Sequence, residues 1–77
     1  MKTVYDLIKN QTATIRKIHA QGELKARLIS LGFQKGAEIE VLECAPGKQT
    51  MQIKVDQMKL ALRMNEAKEI EINEPIN

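Results

Sequence analysis

The strongest helical pattern in this chain runs from Gly22 to Gly36, and text with a two-residue period lies on both sides of it. Leu24, Leu28 and Leu31 recur at helical spacing and make one apolar stripe. Glu23 stands four residues before Arg27, a favourable pair on a helix. Gly22 is a permissive N-cap. Gly32 can take the left-handed conformation just past the last turn, and Phe33 can then pack back on Leu28. A helix over about 22–31, inserted early among strands, therefore constrains the fold.

The flanking text supplies the strands. Thr12 to His19 is rich in β-branched residues, and Ile18 falls out of phase with Ala13 and Ile15, which predicts a bulge or the end of the strand. Ala37 to Cys44 puts Ile39 and Val41 on one side. Ala45-Pro46-Gly47-Lys48 reads as a type II turn. Thr50 to Val55 then places Met51, Ile53 and Val55 inward, so the two strands make a hairpin with opposite charges on its wet side. After a tight turn at Asp56-Gln57, Met58, Leu60 and Leu62 form the next inward set, and Ile70 and Ile72 a last short strand. Thr3 with Asp6 reads as a capping box for a short helix from Val4 to Lys9, with Val4, Leu7 and Ile8 on its apolar face. Asn10 ends it with a left-handed residue. Asn65 caps one helical turn, and Asn73 to Asn77 reads as a loose tail. These elements predict a mainly β fold: a small five-stranded barrel with an inserted α-helix and short helical turns, as one domain over 1–77.

Composition narrows the chemistry. Tyr5 and Phe33 are the two aromatic residues, so the core must be aliphatic. One His and one Cys exclude a zinc site built from those ligands. Glu38, Glu40 and Glu43 alternate with Lys54 and similar residues across the hairpin and read as a solvated charged face rather than a cation site. No local motif joins His19 to Cys44 as base and nucleophile, so no catalytic, cofactor or metal residue is expected. A single cysteine forms no internal disulfide and fits a reducing compartment. The N-terminal segment is broken by Asp6 and Lys9, and no apolar run approaches a membrane span, so a cytoplasmic protein is expected. A formal net charge of +2, with Lys25, Arg27, Lys35, Lys48, Lys54 and Lys59 scattered among acids, is a weak footprint for nucleic acid. Nucleic-acid binding by a small barrel stands as the alternative to a protein-binding module.

Arg27-Leu28-x-x-Leu31-Gly32-Phe33-x-x-Gly36 resembles the signature of the ferrous iron transport protein A (FeoA) family. The likeness continues through Ala45-Pro46, Leu60-Ala61-Leu62-Arg63, Glu66-Ala67 and Ile70, and it runs from about Leu7 to Ile72. Asn10 and Gln57 depart from it, standing where the family often has Gly. The resemblance implies an SH3-like barrel and an accessory protein acting on the membrane ferrous iron transporter FeoB, which carries a cytoplasmic GTPase domain. It would support the transporter's assembly or modulate its nucleotide cycle. A related domain serves as a regulatory module in metal-dependent repressors, which is a further alternative. The expected interface is the exposed helix face and its exit, Lys25, Ile29, Gln34 and Lys35. Arg27 and Arg63 are further candidates, Arg27 also being suited to pin the helix to the barrel through backbone carbonyls.

Overall fold

A computed structural model describes residues 1–44, 47 and 49–75. Five antiparallel strands form one sheet in the order β4-β3-β2-β1-β5. They are β1 (Thr12–Ile18), β2 (Glu38–Cys44), β3 (Thr50–Val55), β4 (Met58–Arg63) and β5 (Ile70–Ile72). Helix α1 (Gly22–Ser30) lies between β1 and β2, and α2 (Met64–Ala67) joins β4 to β5. Because β4 and β5 end the sheet order, α2 links its two edges. The extents of 29 × 26 × 25 Å are nearly equal, as a rolled sheet requires. The expected mainly β fold of five strands with an inserted helix and short helical turns is the fold observed.

Two irregularities bend the sheet. β1 pairs with β2 through Thr12, Ala13 and Thr14, then with β5 through Ile15, Lys17 and Ile18. The register shifts between Ile15 and Lys17, which brings Ile18 back into phase opposite Ile70. A bulge adds twist and lets one strand serve two directions of the sheet. A second shift, between Val41 and Glu43, was not legible in the alternation of β2.

The strand faces follow their spacing. Ala13, Ile15, Ile39, Val41, Met51, Ile53 and Val55 are all buried. Glu40 stands opposite Lys54 on the outer face of the β2–β3 hairpin. Met58 departs from its expected inward place and is 46% exposed. It opens β4 directly after the turn, at the sheet's rim, where it shares a cleft with Leu31 and Gly32 rather than the core. Leu60 is half-buried and Leu62 fully buried. In the turn, Asp56 carries the positive φ (+53°) and Gln57 does not, so the missing glycine at Gln57 costs nothing.

The N-terminal segment is shorter than its pattern suggests. A single 3₁₀ turn covers Val4–Asp6, and Leu7 already has extended backbone. The Asp6 carboxylate accepts the Thr3 N–H at 2.9 Å, as a capping pair should. Val4 and Leu7 are buried, but Ile8 lies beyond the turn and is 66% exposed. Asn10 takes φ +74°, as expected. α2 starts one residue before Asn65, with Arg63 in the N-cap position, so Asn65 is not its cap. Asn73 is not loose: its N–H donates to the Thr14 carbonyl and its amide to the Thr14 hydroxyl. Of the turn read at 45–48, Gly47 is described, with φ +79°, and the other positions lie outside the described residues.

Candidate partner-binding surface

Helix α1 is held on one side and open on the other. Its fully buried residue is Leu28, with Leu24 and Leu31 half-buried beside it. Full burial of one such side chain stabilises by about 1.5–3 kcal/mol. The helix stop is a complete Schellman motif. Gly32, at φ +101°, donates to the Ile29 carbonyl at 3.0 Å, and Phe33 donates to the Leu28 carbonyl at 2.9 Å. Leu28 and Phe33 are both fully buried in the same core. The start differs from expectation. Gln21, not Gly22, holds the N-cap position, and Gly22 supplies a left-handed turn at φ +63°.

Arg27 is tethered, though not as expected. Its Nη1 donates to Glu66 Oε2 at 2.5 Å, so a carboxylate and not a backbone carbonyl receives it. Glu23 is not its ion-pair partner. The other carboxylate oxygen of Glu66 accepts the Arg63 N–H at 3.0 Å. Glu66 is buried, and a buried carboxylate needs such donors to offset its lost hydration. Glu66 thus gathers Arg27 and Arg63 at one place and ties α1 to the α2 link. The sequence signal was slight: a cation beside the apolar stripe and an acid within a helical turn.

The remaining candidates are exposed. Lys25 and Ile29 are one turn apart on α1, and Ile29 is 44% exposed. Gln34 and Lys35 follow the helix stop and are also exposed. Lys35 does not join Ile29 in one cleft. It lines a groove of about 490 Å³ with Arg16, Lys17, Ile15, Gly36 and Asn73. Sequence reasoning passed over Arg16 and Lys17, whose signal was a basic dipeptide at the strand's bulge.

Opposite Lys17 in the β1–β5 register, Glu71 accepts a bond from His19 Nε2 at 2.7 Å and lies 3.3 Å from Arg16 Nε. The hydrogen bond from His19, with the charges of His19 and Arg16, holds the Glu71 carboxyl below the usual carboxylate range. Cys44 lies elsewhere, in a cleft with Tyr5, Ile8, Met51 and Met64. Among the described residues no group of three or more His, Cys, Asp or Glu could hold a metal ion. No helix among them is long and apolar enough to cross a membrane.

The chain has known relatives. A protein of Campylobacter jejuni named for Fe(2+) transport protein A is 35% identical over 71 residues, covering 92% of this chain and 96% of the relative. The solution structure of iron(II) transport protein A from Clostridium thermocellum superposes with a TM-score of 0.88 at 31% identity. That match covers 92% of this chain and 44% of the other. Stenotrophomonas maltophilia FeoA, crystallised with zinc and described as a prokaryotic SH3 domain protein, gives a TM-score of 0.84 at 28% identity, covering 95% and 91%. The family model described as the FeoA domain matches residues 2–74, a span that contains the whole resemblance from Leu7 to Ile72, and the chain belongs to the FeoA family.

Proposed function

We propose that this protein is a cytoplasmic accessory protein of bacterial ferrous iron uptake, acting by binding the transporter FeoB. The observation that carries the reading is the construction of α1. One side of the helix is fixed by Leu28 and by the Arg27–Glu66 pair, while Ile29 and Lys25 are left exposed on a rigid element. A fixed helix that displays an apolar residue beside a cation suits docking. The cation steers the encounter, and burial of the apolar group supplies affinity. Membership of the FeoA family and relatives named for Fe(2+) transport supply the biological context. Docking would then support assembly of the transporter or modulate its GTPase cycle.

The test is retention of the full chain by detergent-solubilised FeoB, together with ferrous-iron-dependent growth of a strain lacking this protein. Wild type should be retained and should restore growth. Ile29→Asp should melt near wild type and fail in both. A well-folded Ile29→Asp chain that is retained and complements would refute the helix-face interface.

A further inference from the structure

We infer that the groove between the end of β1 and the exit of α1 is a docking site for a short acidic segment of a partner protein, gripped by Lys17, Lys35 and Arg16. The groove exists because β1 leaves β2 there. The last bonds on that side join β1 to the residues just before β2, from Ile15 N–H to the Ala37 carbonyl at 2.9 Å and from Gly36 N–H to the Ile15 carbonyl at 2.8 Å. Beyond that point β1 turns to β5 through its bulge, and a space of about 490 Å³ opens.

Charge states what fits it. Three of the lining residues are cations, and none is an acid. Among the described residues neither Lys17 nor Lys35 forms an ion pair, and both are exposed. Arg16 Nε lies 3.3 Å from Glu71 Oε2, an ion pair on one edge of the guanidinium that leaves its two Nη groups for a carboxylate. The Glu71 carboxylate offsets Arg16, so the positive charge left over is that of Lys17 and Lys35, which is complementary to a run of Asp or Glu.

The same charges attract a nucleic acid, but the lining argues for protein. Strand binders stack bases on aromatic side chains. This groove has none: Phe33 is fully buried, and Tyr5 lies under the Lys68 ammonium. The inference rests on the reading that the chain works through a protein partner, and it places part of that contact away from Ile29.

The experiment titrates the full chain with a fluorescent peptide of alternating Glu and Ser at ~150 mM salt, where distant surface charges are screened. Amide shifts should concentrate at residues 15–17, 35–36 and 73. The double variant Lys17→Glu, Lys35→Glu should keep its melting temperature and bind at least about tenfold more weakly. Lys59→Glu, a charge reversal at an exposed position of β4, should change binding by less than about twofold. A peptide with Gln for Glu should not bind. Absent binding, shifts spread over all cations, an equal loss in Lys59→Glu, or tighter binding of oligo-dT would each overturn the inference. Retention by FeoB separates it from the proposed function. If wild type is retained and the double variant is retained equally, the groove is refuted and the function stands. If wild type is not retained, the function fails, while the peptide titration still decides the groove.

Discussion

Arg27 and Glu66 lie 39 positions apart in sequence and meet at 2.5 Å, joining the inserted helix to the short link between the sheet's two edges. The pair is asymmetric. Glu66 is 5% exposed, whereas the Arg27 side chain is 53% exposed. Removing the cation therefore leaves a buried carboxylate short of a donor, which costs more than a surface ion pair would return.

Arg27→Met is expected to lower stability by about 1–3 kcal/mol, the cost of leaving a buried polar group unsatisfied. Adding Glu66→Met should recover part of that loss, because the double variant has no stranded charge. A double-mutant cycle by urea denaturation checks both, and additive losses would show that the pair is uncoupled.

Gly32→Val should destabilise by about 1–3 kcal/mol through backbone strain. The cause is conformation and not a clash. A Cβ at Gly32 would meet Val55 at 3.6 Å, an ordinary contact, but φ is +101°. Gly32→Asn should recover part of the loss, since Asn tolerates left-handed φ. Chemical denaturation midpoints decide, and equal midpoints for Val and Asn would refute strain.

Leu28→Ala should cost about 2–5 kcal/mol, as for other fully buried leucines. The same change at Leu24, which is half-buried, should cost less. Equal losses would mean that the stripe is anchored evenly along its length.

Glu71 predicts a pH dependence. Its carboxyl is held below the ordinary value of 4.5, first by the bond from His19 and then by nearby charge. A depressed folded-state pKa stabilises at pH above the unfolded value, and that contribution is lost as pH falls through the folded value. Wild type should therefore melt above Glu71→Gln near pH 6, and the gap should narrow as pH falls below 4.5. A gap independent of pH between 3 and 6 would remove the charge from the explanation (a window of about this width brackets ordinary carboxylates).

Short-range features of this chain were legible because they depend on neighbours in sequence. The two-residue period placed Ile39, Val41, Met51, Ile53 and Val55 in the core before any pairing was known. Gly32 announced the helix stop because few other residues accept its φ. Asn10 and the out-of-phase Ile18 gave the first turn and the bulge for similar local reasons. What depended on distant segments was not legible. Met58 and Ile8 continue apolar patterns that the fold ends at its rim, because a strand's period says nothing of where the core stops. Its place beside the apolar stripe suits Arg27 to pin the helix, but its partner Glu66 and the role of Arg63 as a backbone donor require the sheet to roll and α2 to join its edges. Likewise Arg16, Lys17 and Lys35 share a groove because β1 turns away from β2 at its bulge. Local sequence determined which residues face inward. Tertiary structure decided which charges meet, since side chains far apart in the chain are brought within reach only once the sheet rolls up and α2 spans its edges.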